Sequence, residues 1–373
     1  MTCTSNCLTL LSMRFLQIMQ GLYLQYPPEF YACRPRILEG SYEEHRQAWI
    51  AEGFWGGHII APYMEALGYE WDFIVDHPTY LWHRLRGLPE FSGPGVLNRI
   101  TSMALIKAFQ PDVAYLWNAK SSLPISSTTT TVVGWCATWV PPSVTYQGYS
   151  TVLTSHARCG EGVLAAGAPR VDHFLPGVPL GQVKRYIADT PIKHDIVFSG
   201  QADSDLSHRH RVECLEAVAR SLKEGALRGR SAAFYVGDDH PELLGPWREP
   251  MQWGAEMYRA CASGRIVLNI GAPLTGGNQA GNMRLFEAAS VGRCLITDHY
   301  PNISDYFEPG KEVVTFTSPQ DLVAKIDYYT KHPEEAAAIG LAGQRRCAES
   351  HSMEQRAQWL HNIITDIRGG SKE

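Results

Sequence analysis

From Asp195 onward, short apolar runs alternate with amphipathic stretches: DIVFSG, a helix over His208 to Lys223, AAFYVG, a helix from about Trp253 to Ala262, IVLNIG, a helix beginning near Asn282, CLITD, EVVTFTS, and a helix from Gln320 to Tyr329. Strands this continuously apolar need cover on both faces, and Gly or Asp at their ends suits the turn into a crossover helix. The second half therefore predicts a doubly wound parallel sheet. The first half alternates less cleanly, with strands at RFLQIM, WDFIV, DVAYLW, TVVGWCA, STVLTS and HFLPG and helices over Tyr42 to Ile50, His58 to Leu67, Val96 to Phe109 and Arg158 to Ala166. The ~35 residues between the first strand and the helix at His58 exceed an ordinary connection and predict a lid-like insertion. Pro176 to Lys193 reads as a linker, SSLPISSTTTT from Ser121 as a solvated loop, and the first twelve residues as an extension without structure. Apolar positions at Ala357, Leu360, Ile363, Ile364 and Ile367 predict a final helix from Met353 packing back on the first half.

A length of 373 residues accommodates two such units, so the expected division is an α/β domain over 1–178, a second over 179–352, and a C-terminal helix over 353–373. Lys plus Arg number 33 and Asp plus Glu 38, for a net charge of -5 without blocks of one sign, which gives no footprint for nucleic acid. Nine cysteines, none in a C-x-x-C pair, are expected to be reduced thiols of a cytoplasmic protein. No run reaches the ~18 apolar residues of a membrane span, and the N-terminus lacks the basic start and cleavage site of a secretory signal, leaving only peripheral association with a membrane open. The strings DSD at Asp203 to Asp205 and DDH at Asp238 to His240 imitate metal motifs but are read as loops, and no residue cluster has zinc spacing.

The stretch with the most chemistry is GNMRLFEAASVGRCLITD, from Gly281 to Asp298. LTGGNQA, from Leu274, precedes it with two adjacent glycines, so backbone amides there can approach an anion before a helix begins. Arg284 in the first turn and Glu287 three residues on share a face, one suited to diphosphate oxygens and the other to two vicinal hydroxyls. A surface ion pair between them is the equal alternative on spacing alone.

MYRACASGRIVLNIG, from Met257, and NMRLFEAASVGRCLITDHYPNISDYFEPGKEVV, from Asn282, closely resemble the CgeB-like (spore maturation protein) branch of the group 1 glycosyltransferases, and PQDLVAKIDYYTKHPEEAAAIGLAGQRR continues the resemblance. It covers residues 195–356 and is fainter in the first half. The resemblance implies two Rossmann-like domains facing across a cleft, the fold called GT-B, with a nucleotide-sugar donor held by the second domain. Carried over residue by residue, the family's R-x-F-E core falls on Arg284, Phe286 and Glu287 with Asn282 at the helix start, and its H-x-x-R on His208 and Arg211; the donor contacts expected are Gly200, Gln201, His208, Arg211, Gly237, Asn278, Gln279, Gly281, Asn282, Met283, Arg284 and Glu287. Gln279 stands where many group 1 enzymes carry a second glutamate, which leaves the stereochemical outcome open. Arg284 and the helix amides would stabilise the leaving diphosphate without a metal or other cofactor.

The donor expected is UDP- or TDP-linked, and the acceptor is a hydroxyl of a glycan or protein. His58, at the helix start after Gly56 and Gly57, is the preferred base, with Asp76 and His77 next in line. Tryptophans are plentiful in the first half and could stack on sugars, although most are expected in the core. The rival readings are a non-catalytic nucleotide-sugar-binding protein and an epimerase or hydrolase of the same fold.

Overall fold

A computed structural model describes residues 12–20, 26–77, 79–81, 106–119, 130–202, 208–238, 240–271 and 279–369. It contains two parallel six-stranded sheets. The first has the order β2-β1-β3-β4-β5-β6, built from β1 (Met13–Met19), β2 (Tyr69–Val75), β3 (Val113–Trp117), β4 (Thr131–Trp135), β5 (Thr151–Thr154) and β6 (Val171–His173). The second has the order β12-β11-β10-β7-β8-β9, from β7 (His194–Ser199), β8 (Ala232–Val236), β9 (Arg248–Pro250), β10 (Gly264–Asn269), β11 (Cys294–Asp298) and β12 (Val314–Phe316). Alternate residues of each strand serve different cores. In the second sheet Ile196, Phe198 and Leu268 pack on one face, while Val267 and Leu295 pack on the other.

The helices are α1 (Tyr26–Ala32), α2 (Tyr42–Glu52), α3 (Ala61–Met64), α4 (Ala157–Ala165), α5 (Leu180–Ile187), α6 (Arg209–Glu224), α7 (Gly254–Ala262), α8 (Met283–Ser290), α9 (Pro319–Lys331), α10 (Pro333–Ser350) and α11 (Met353–Gly369). The expected lid between β1 and His58 takes a different form. A capping box at Ser41 and Glu44 starts α2, and Tyr26, Phe30 and Trp49 sink into the first core with 2% exposure or less. Burying that much aromatic surface fixes the segment instead of leaving it free to close. The helix expected over His58 to Leu67 is broken into 3-10 turns around the short α3, and the expected strand HFLPG is replaced by β6 just upstream. The expected linker contains α5, whose Val183 and Tyr186 pack with α7 of the second half.

The long helix α11 returns to the first sheet, where Met353, Ala357, Leu360, Ile363 and Ile364 join the core of Phe15, Tyr115 and Phe174. The chain thus passes twice between the halves, and the two passes are bonded together. Val178 N–H donates to His351 O at 2.8 Å and Met353 N–H to Val178 O at 3.0 Å. Buried Arg356 ties both passes, donating from Nε to Pro176 O, from Nη1 to Ser350 O and from Nη2 to His351 Nδ1. Among the described residues no helix is long and apolar enough to cross a membrane. The first eleven residues, most of the expected helix from Val96, most of the SSLPISSTTTT run and the DSD string lie outside the described residues.

Candidate functional site

Between the halves lies a cleft of about 180 Å³. Its floor is the carboxyl edge of the second sheet: Ser199 ends β7 and Gly200 and Gln201 follow it, and Asn269 ends β10 with Ile270 after it. One side is α8 with Met283, Arg284 and Glu287, and the other is the start of α7 from Met251 to Gly254. Gly53, Phe54 and Trp55 approach from the first half.

The amino end of α8 is built to leave backbone donors available. Its N-cap residue, Asn282, makes no side-chain capping bond and instead donates from Nδ2 to Asn269 Oδ1 at 3.1 Å, while Asn269 reaches Thr297. An N-cap that spends its amide on the neighbouring strand leaves first-turn N–H groups for a ligand. One turn along, Glu287 is about 1% exposed, and its Oε2 lies 3.0 Å from Arg284 Nη1 without a hydrogen bond of proper geometry. Burial pushes the Glu287 pKa up, against the opposing influence of Arg284 and the nearby Tyr258 hydroxyl. The ion pair foreseen from spacing therefore forms, but inside the cleft wall, with Arg284 also against the Met257 thioether. Ser199 Oγ is likewise buried with no hydrogen-bond partner and lines the same cleft. Both residues line the cleft, so a ligand there can pair with these oxygens.

Of the expected donor residues, Gly200, Gln201, Arg211, Met283, Arg284 and Glu287 come together around the cleft. Arg211 stitches two strand ends, donating from Nε to Ile270 O at 2.8 Å and from Nη1 to Gln201 O at 2.7 Å. Gln279 faces the first half, accepting at Oε1 from Ala157 N–H at 3.1 Å. Gly281, at φ 145°, passes so close to Ser155 that a Cβ would lie 2.9 Å from its carbonyl oxygen. Asn278 and the two glycines before it lie outside the described residues.

His208 and Gly237 are not among the residues lining the cleft. Neither are His58 and Asp76. The His58 ring is enclosed by Trp117 and Trp135 at 5.5 and 4.7 Å, and burial pulls its pKa down to about 3, which leaves it neutral and a weak base. Asp76 is exposed beyond the end of β2, the edge strand of the first sheet. His77 stacks on Tyr31 at 6.1 Å.

Sequence reasoning passed over Ser155 and His156, which meet Gly281 from the first half, with Ser155 Oγ 2.8 Å from His156 Nδ1. It also passed over the contact between His210 Nε2 and Asp298 Oδ1 at 2.6 Å, beside which Asp298 Oδ2 accepts from Gly271 N–H at 2.6 Å. Both are tertiary contacts between distant segments, without a spacing signal. Among the described residues no group of three His, Cys, Asp or Glu side chains could hold a metal ion.

Residues 207–362 match a family model described as glycosyl transferase-like. No curated protein matches the sequence. Solved structures match nearly the whole chain at low identity. AviGT4, a glycosyltransferase involved in avilamycin A biosynthesis, has a TM-score of 0.59 at 14% identity, covering 96% of this chain and 98% of its own. Sucrose-phosphate synthase from Thermosynechococcus elongatus has a TM-score of 0.56 at 8% identity, covering 96% and 100%. Anabaena HepE, solved in complex with UDP and glucose, has a TM-score of 0.53 at 12% identity, covering 95% and 100%. The fold is accordingly GT-B, and the second half is similar to glycosyl transferases in sequence as well.

Proposed function

We propose that this chain is a glycosyltransferase that takes a nucleoside diphosphate sugar in the interdomain cleft and passes the sugar to a hydroxyl of a glycan or protein in the cytoplasm. The observation that carries this reading is Glu287, a carboxylate about 1% exposed, with an oxygen lacking any hydrogen bond, set beside Arg284 at the uncapped start of α8. A ribose supplies two hydroxyl donors to such a carboxylate. A diphosphate supplies the acceptors that first-turn amides and a guanidinium lack. As the glycosidic bond breaks, negative charge gathers on the leaving diphosphate, and those fixed donors stabilise it. The CgeB-like assignment rests on the residues from Met257 to Gly310.

UDP is the first nucleotide to test, because HepE was solved with it. Thermal unfolding in the presence of UDP, TDP, GDP or CMP gives the answer. At about 100 times Kd, a ligand of the folded state adds about 2.7 kcal/mol and raises Tm. The expected result is a rise with UDP or TDP that Glu287→Gln diminishes. A Tm unmoved by all four nucleotides overturns the reading.

A further inference from the structure

Resting on that reading of the cleft as a donor site, we infer that Asp298, braced by His210, is a positioning residue for the donor, fixing the Arg211 guanidinium at the cleft floor through a single peptide plane. Arg211 lines the cleft from the first turn of α6. It donates from Nε to Ile270 O at 2.8 Å and from Nη1 to Gln201 O at 2.7 Å. The carbonyl of Ile270 belongs to the same peptide unit as the N–H of Gly271, and that N–H donates to Asp298 Oδ2 at 2.6 Å. One edge of the peptide is thus held by a cation and the other by a carboxylate.

The sheet does not hold this peptide. The registered pairing of β10 runs as far as Leu268 opposite Phe198 of β7 and Asn269 opposite Thr297 of β11. Beyond it, the Asp298 side chain takes the place of a strand partner. Asp298 is itself buried, and its other oxygen, Oδ1, lies 2.6 Å from His210 Nε2. The His210 ring stacks on Phe316 of β12 at 6.5 Å, and His210 directly precedes Arg211 on α6. Adjacent residues of one helix therefore close a circuit that runs from His210 through Asp298 and the 270–271 peptide to Arg211. The Tyr300 hydroxyl, 3.4 Å from Asp298 Oδ2, fills the remaining space, and a Cβ at residue 271 would run into it, so the close approach requires glycine.

A peptide N–H bonded to a carboxylate polarises its own carbonyl, which makes Ile270 O a better acceptor for the Arg211 guanidinium. Holding that guanidinium in place before a diphosphate arrives removes rotamer entropy that binding would otherwise cost. Asp298 and His210 are not among the residues lining the cleft, so their effect reaches the donor through Arg211.

The test is a double-mutant cycle on the full chain, read by calorimetric titration of UDP, or of whichever of TDP and GDP raises Tm instead. Asp298→Ala removes the acceptor from Gly271, and Asp298→Asn keeps an oxygen there. Arg211→Lys keeps the positive charge and loses the Nε donor to Ile270. Thermal melts establish that each variant is folded at the titration temperature. Asp298→Ala should weaken nucleotide binding about tenfold in the wild-type background and less than about twofold in Arg211→Lys, while Asp298→Asn stays within about twofold of wild type. A residue that only supported the fold would lower Tm and leave the affinity of the folded molecules alone.

Equal losses in the two backgrounds overturn the inference, because the effect then bypasses Arg211. So does unchanged affinity in folded Asp298→Ala, and so does an Asp298→Asn that loses as much as Asp298→Ala. Should Asp298→Ala not fold, His210→Asn carries the same cycle. Binding about threefold weaker in the wild-type background and unchanged in Arg211→Lys supports the inference, and any other pattern overturns it. In each failure, nucleotide binding by the wild type leaves the donor reading standing, whereas a wild type that binds none of the nucleotides removes that reading first and this one with it.

Discussion

The two sheets have the same number of strands, yet the halves around them are built differently. The second half packs aliphatic residues such as Ile196, Leu215, Val218, Leu268 and Ile296 under long regular helices. Beneath the first sheet, Tyr26, Phe30, Trp49, Phe54, Phe73, Tyr80, Tyr115, Trp117 and Trp135 form an aromatic core, covered by the long α11 and otherwise by shorter or broken helices. Large rings fill space from irregular backbone positions, whereas aliphatic cores depend on the regular spacing of helix and strand. The difference carries into the cleft, where the second half supplies charge and unpartnered oxygens and the first supplies indole and phenyl faces. One wall of the cleft is charged, and the other is aromatic.

Breaking the charged wall should have the largest effect. Arg284→Ala is expected to lower turnover by about 10²–10³, the range for loss of one donor to a developing charge, and to lower Tm as well, because the buried Glu287 carboxylate loses its cation. Steady-state kinetics at saturating nucleotide sugar, with a melt as control, measure this. Next is Arg356→Ala at the junction of the halves. Three carbonyl or imidazole acceptors lose a buried cationic donor, which should destabilise the protein by about 3 kcal/mol in urea unfolding.

Glu287→Gln sharpens the comparison by splitting affinity from stability. Nucleotide binding should weaken by about tenfold in calorimetry, while Tm stays level or rises because a buried charge has been removed.

The histidines differ in sign between sites, and His210 gives the smallest effect of all. His58 and His156 of the first half, and His351 at the junction, are held neutral by burial, with pKa values pulled down to about 3, 4 and 4. Below the ordinary value of about 6.5 the unfolded chain takes up protons that the folded one refuses, so stability should fall as pH drops from 6.5 toward 4. His210, bonded to Asp298 and Cys214, is instead pushed up to about 10. Its contribution is complete below pH 6.5 and lost as pH rises through 10. With a partly exposed ring it amounts to less than about 1 kcal/mol, so the Tm gap between wild type and His210→Asn should be small at pH 6 and vanish near pH 10. Melts across pH 4–10 check both signs.

The same contrast explains how much could be read in advance. Buried parallel strands such as Asp195 to Ser199 and Cys294 to Asp298 are apolar through their centres, and the helices between them keep one face apolar, so the second sheet was plain in the residue pattern. β9 was not, because a three-residue edge strand reading Arg-Glu-Pro has neither the length nor the composition of one. α10 hid behind Pro333, which looks like a stop but stands at the first helical positions, where proline is tolerated.

In the cleft, the i,i+3 spacing of Arg284 and Glu287 exposed the pair, but that spacing is shared by many surface pairs. What makes Glu287 unusual is the depth at which Tyr258 and Met257 of α7 enclose it, a fact of tertiary packing. The strained backbone of Trp55, left-handed at φ 52°, leaves no mark in composition at all, since glycines on either side made the loop look merely flexible.

Because α11 completes the first core, that core is assembled from both ends of the polypeptide. On a ribosome, the first sheet emerges long before the helix that covers part of it, and its aromatic surface stays incomplete until α11 follows. A fragment stopping at Ser352 would carry every strand of both sheets and still leave that surface bare, so the shortest piece able to fold cleanly is close to the whole chain.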